Sequence, residues 1–233
     1  MKKLKRFVIT TLLLPGCYGV SLALWSLLQP FQSVPEGSFY FLVGMGSYFA
    51  FQWVFFRPIR TYVFGHELTH ALAAWMTGAK VKHFRVSKNG GSVMVSKTNF
   101  FVALAPYMIP LYALLLVGFF AVVDYFVPVK PYWRFCLWIL GASIGFHMAL
   151  TVYALKEGQP DLKTAGKYLS VLIIYLGNVV SIAFLLGVLF PHTVSWNRFM
   201  RVSGRQTVAA LRHVGRGSVI AWNGAVHGLE HRD

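Results

Sequence analysis

Apolar residues in this chain gather into long runs, several of which reach the roughly 18–20 residues that carry a helix across a bilayer. Five such runs stand out: Phe7 to Leu28, Phe39 to Phe56, Phe100 to Phe126, Trp133 to Leu155 and Tyr168 to Phe190. A sixth segment, Thr61 to Thr77, is shorter and more polar. It keeps helical spacing, with Val63, His66, Glu67 and His70 along one stripe and Ala71, Ala73 and Ala74 small enough for close helix packing. Pro58 suits its first turn, and Gly78 is placed to end it. The pattern predicts a mainly α, polytopic membrane protein with about six membrane helices. Pro106 and Pro110 interrupt the third long run and predict a kink, either beside a wet cavity or within a simple bent helix.

Between Val81 and Ser96 the period changes. Phe84, Val86, Val93 and Val95 alternate with polar residues around Asn89-Gly90, which predicts a small β-hairpin after the polar helix. An amphipathic loop on lipid headgroups is the alternative, given its lysines. A lone hairpin is marginal in water, so this one must pack against helices. A free strand edge can hold an extended chain through main-chain hydrogen bonds, which makes Asn89, Gly90 and Gly91 candidate substrate-binding residues. No polar stretch is long enough to fold alone. Residues 1–190 therefore read as one membrane-embedded domain, with its core at about 61–190, and 191–233 as a basic juxtamembrane tail.

Composition agrees with a membrane setting, since 56% of residues are apolar and only 12% charged. The net charge of +15 raises nucleic acid as a partner. The basic residues, however, sit in short loops and at the termini beside apolar runs, where an anionic lipid surface is the natural partner and nucleic acid is not. Met1-Lys2-Lys3-Leu4-Lys5-Arg6 before an apolar run resembles a signal peptide, but the run continues to Leu28, which predicts an uncleaved first span. That basic start, without an organelle signal, places the chain in the bacterial inner (cytoplasmic) membrane as a multi-pass protein. Cys17 and Cys136 both fall inside predicted spans, so neither a disulfide framework nor a CxxC metal knuckle is available.

The polar helix carries His66-Glu67-Leu68-Thr69-His70. Histidines at i and i+4 share a helix face and can hold one Zn²⁺, while the glutamate between them can act as general base on zinc-activated water. Ionisable groups in an apolar run are costly, so the motif argues for a purpose. A catalytic zinc commonly has three protein ligands. Asp161, which follows Gln159-Pro160 at a helix boundary, is the first candidate for the third. His147, Glu157 and His83 remain alternatives, and Asp161 could equally cap a helix.

Gly65-His66-Glu67-Leu68-Thr69-His70-Ala71, then Thr77-Gly78-Ala79-Lys80-Val81, a Gly-Gly hairpin and a later aspartate together resemble the site-2 protease family of intramembrane zinc metalloproteases. The resemblance covers roughly Thr61 to Asn178. It implies an intramembrane zinc metalloprotease that hydrolyses peptide bonds of membrane-protein or peptide substrates. It further implies His66, His70 and Asp161 on zinc, Glu67 as base and Asn178 as a polar group near substrate. Between packed helices, Asn178 could instead simply bond across them. Members present their third ligand within Asn-x-x-Pro-x-x-x-Leu-Asp-Gly, whereas this chain has Gln159-Pro160-Asp161-Leu162. The rival reading is a catalytically inactive membrane binding or scaffold protein that retains the fold.

Overall fold

The computed structural model describes residues 2–30, 35–87, 90–163 and 166–230; Asn89 lies outside them. In chain order the elements are helices α1 (Lys2–Leu28), α2 (Pro35–Val54) and α3 (Ile59–Met76), strands β1 (Val81–Ser87) and β2 (Gly90–Val95), and helices α4 (Phe100–Met108), α5 (Leu111–Phe126), α6 (Trp133–Glu157), α7 (Lys167–Leu189) and α8 (Trp196–Glu230). The molecule is mainly helical with one small sheet, as its hydrophobic pattern predicts. The chain forms two compact units, residues 30–181 and residues 1–29 with 182–233.

The expected count of six membrane helices is not reproduced. Among the described residues three helices are long and apolar enough to cross a membrane, within Leu4–Leu28, Lys130–Glu157 and Lys167–Leu189. A fourth is added if α4 and α5, bent by 69° at their junction, form one broken span. The segments read as spans that fall out of this set are α2 and α3. Glycines and polar residues dilute α2, and α3 carries Arg60, His66, Glu67 and His70.

In the unit of residues 30–181, α2 lies along α6. Backbones meet there: a side chain at Gly141 would strike the Phe41 carbonyl, and one at Gly44 the Trp138 carbonyl. Small residues permit this approach, which suits helices that gain little from hydrophobicity in lipid. On α3, Ala73 and Ala74 bury against Val102 and Ala105 of α4. A second cluster joins Leu104, Tyr107 and Met108 to Ala154 of α6, Leu162 and Ile174 of α7.

Strands β1 and β2 form the expected hairpin, with Phe84 opposite Val93 and Val86 opposite Gly91 and an irregularity between Val81 and His83. Both strands pack on α3, which supplies the support a lone hairpin lacks.

Pro106, inside α4, and Pro110, which caps the start of α5, free backbone acceptors. Proline has no N–H, so Pro106 cannot bond the carbonyl of Val102 one turn earlier, and the chain break at Pro110 removes the ordinary partners of Tyr107 and Met108. Each carbonyl finds a side chain: Val102 O meets Nδ1 of His70 at 2.7 Å, Tyr107 O accepts from Asn178 Nδ2 at 2.7 Å, and Met108 O from Ser181 Oγ at 2.9 Å. Such replacement is what lets a broken helix persist in an apolar setting.

In the other unit, α1 packs along α8. Gly19 lies close against the Ser203 and Thr207 turn, and Trp196 stacks on Phe199. The basic tail is thus a helix, amphipathic, with Arg198, Arg201, Arg205 and Arg212 exposed.

Candidate metal centre

Helix α3 presents His66, Glu67 and His70 on adjoining positions, as spacing within one turn requires. Asp161 arrives from far along the chain. Gly158, with φ of 68°, ends α6 in the left-handed conformation that glycine adopts without strain, and a short 3₁₀ turn, Pro160–Lys163, follows. Leu162 anchors that turn in the core, and its carbonyl accepts from the buried Ser170 hydroxyl at 2.9 Å. The carboxylate next to this anchor is thereby delivered to α3 without the Leu-Asp-Gly setting.

Three atoms converge. His66 Nε2 and His70 Nε2 are 3.2 Å apart, and Asp161 Oδ2 lies 3.5 Å from the first and 3.4 Å from the second. Zinc with ligands at about 2.0–2.1 Å in tetrahedral array demands ligand-to-ligand edges of about 3.3–3.4 Å, so this near-equilateral triangle has the dimensions of one tetrahedral face. A chain of ordinary hydrogen bonds would not make all three edges alike. His66, His70 and Asp161 form the group able to hold a metal ion among the described residues.

The outer contacts agree with that use. A carbonyl can only accept, so His70 Nδ1 donates to Val102 O and the lone pair of its neutral ring falls on Nε2, facing the cluster. His66 Nδ1 meets the Tyr62 hydroxyl at 3.2 Å, one turn earlier on α3. The His66 ring also lies edge-on to Tyr107, and the Tyr107 hydroxyl donates to Asp161 Oδ2 at 3.2 Å.

A cavity of about 880 Å³ opens onto the cluster, lined by His66, Glu67, His70, Asp161 and the whole of β2. Glu67 is nearly buried and turns toward the hairpin. A side chain on Gly91 would come within 2.5 Å of Glu67 Cγ and 2.7 Å of Val63, so only glycine lets the strand pass this close.

The structure therefore brings His66, Glu67, His70 and Asp161 together with Gly90 and Gly91. It does not bring Asn178 there: that side chain bonds His147 at 3.0 Å and the carbonyls of Tyr107 and Ile174. Of the alternative ligands, His147 is committed to Asn178, Glu157 lines a different groove, and His83 is exposed on β1. Sequence reading missed Tyr62, Val102 and Tyr107, and singled out Pro106 only as a kink. Two signals were present: a tyrosine one turn before His66, and a proline four residues after Val102.

A family model described as Peptidase M50B-like matches residues 47–185, from the second half of α2 into α7. No curated protein and no solved structure matches the chain.

Proposed function

Because the chain belongs to the Peptidase M50B-like family, a site-2 protease family, we propose that it is an intramembrane zinc metalloprotease acting on membrane-protein or peptide substrates. The observation that carries this reading is the triangle of His66, His70 and Asp161 at the head of a cavity that Glu67 and β2 also line. The family consists of zinc metalloproteases, and the donor set fits that ion: two imidazole nitrogens and one carboxylate, with tetrahedral edges.

His66, His70 and Asp161 would hold the zinc, which when bound would supply the Lewis acidity that makes water nucleophilic at neutral pH and polarises a carbonyl. Glu67 accepts the proton of the attacking water at its carboxylate and passes it to the leaving amine nitrogen, the two halves of general acid–base catalysis. Tyr107 and Val102 orient Asp161 and His70, which keeps their lone pairs aimed inward. In the described sheet β2 pairs with β1 alone, and its residues run along the cavity. An unwound substrate segment adds beside β2, with Gly90 and Gly91 allowing close approach. Substrate helices must unwind first, since an intact helix keeps its carbonyls bonded. The bacterial inner membrane, with an anionic lipid surface, is the proposed setting.

The test pairs elemental analysis with cleavage of single-span peptides in detergent micelles. Glu67→Gln should keep stoichiometric zinc and lose about 10²–10⁴-fold in turnover. Wild-type cleavage by protein free of transition metal, or undiminished turnover in Glu67→Gln, would end the proposal.

A further inference from the structure

Away from the metal centre, the ends of α2 and α6 leave an open groove of about 430 Å³. Its floor is apolar and unusually bare, with Phe49, Met148 and Val152 exposed by 42, 39 and 50%. Its rim carries Arg57, Lys156 and Glu157. The Arg57 guanidinium sits 5.0 Å above the Tyr153 ring, an arrangement that positions the cation without cancelling its charge. Neither Arg57 nor Lys156 is ion-paired with a carboxylate among the described residues.

Depth can be read from the neighbours. Lys156 and Glu157 close the apolar stretch Lys130–Glu157. Trp53, in the last turn of α2, is exposed by 88%. An exposed tryptophan beside the end of a span marks the headgroup layer. Two cations at that level above an apolar trough match a phosphate attached to an acyl chain. Glu157 sets the charge: it repels a second negative group and offers an acceptor to hydroxyls.

We propose that the α2–α6 groove binds a singly charged anionic glycerophospholipid of the phosphatidylglycerol class. Arg57 and Lys156 take the phosphodiester, Glu157 accepts from the headgroup hydroxyls, and an acyl chain lies along Phe49, Met148 and Val152. The site is separate from the metal cavity, although the chain runs from Glu157 through Gly158 to Asp161.

Full-length protein, delipidated in nonionic detergent, is titrated with phosphatidylglycerol or phosphatidylcholine, and bound lipid is counted by native mass spectrometry. Wild type should bind phosphatidylglycerol at least tenfold more tightly, and millimolar inorganic phosphate should not displace it. Arg57→Ala with Lys156→Ala should erase that preference, whereas Arg198→Ala with Arg201→Ala, which removes equal charge from α8, should preserve it. Val152→Trp keeps both cations and fills the trough; it should weaken both lipids, and it carries the test should the double variant not fold. Equal binding of the two lipids by wild type, displacement by phosphate, unchanged preference in the Arg57/Lys156 variant, its loss in the α8 variant, or wild-type binding by Val152→Trp would each overturn the assignment.

Discussion

The unit of residues 30–181 holds two helix-borne histidine clusters, and they use the same chemistry in opposite ways. In one, His66 and His70 spend their Nδ1 atoms on Tyr62 and Val102 and turn both Nε2 atoms toward Asp161. In the other, His147 Nε2 faces Asn178 Oδ1, while the Asn178 amide nitrogen donates to two backbone carbonyls. The first cluster leaves lone pairs converging on a point, and the second leaves none on the atoms that meet. A histidine in an apolar setting is therefore informative only once its partners are known. Convergence marks a ligand, and mutual satisfaction marks a brace.

The comparison breaks most sharply on metal content. His66→Ala, His70→Ala and Asp161→Ala should each lose stoichiometric zinc, while His147→Ala should retain it; zinc lost only in His147→Ala would reverse the two roles. Next in size is Gly91→Ala. The added methyl forces the hairpin away from Glu67, and misplacement on that scale costs about 10²-fold in turnover with zinc content unchanged. Tyr107→Phe removes the hydroxyl that orients Asp161, so competition with a chelator should show zinc affinity reduced by about 10–100-fold. The smallest effect belongs to the brace. Asn178→Ala strands the Tyr107 carbonyl at the helix break, and thermal melts should report a loss of about 1–3 kcal/mol with zinc still bound.

Much of this was legible in local pattern. The i, i+4 histidines with their glutamate needed only helical periodicity, and the hairpin needed only alternation around Asn89-Gly90. Hydropathy read α2 and α3 as spans by their apolar residues, and neither is among the described helices long and apolar enough to cross a membrane. The glycines of α2 instead serve packing against α6, and α3 carries the polar groups of the site. The tail was readable as basic and amphipathic, but its packing along α1 was not, since one helix face says nothing of its partner.

By itself the sequence determined the pair of imidazoles on one turn of α3, the glutamate between them and the apolar surroundings, because those follow from residues within a few positions of each other. Only the tertiary structure decided which acid completes the set. On paper Asp161 was the first candidate, with His147, Glu157 and His83 as alternatives. What separates them is long-range packing: Leu162 buried in the core beside Asp161, Glu157 lining a separate groove, and His147 bonded to Asn178. A ligand's lone pair is directional, so its role depends on where the rest of the chain aims it.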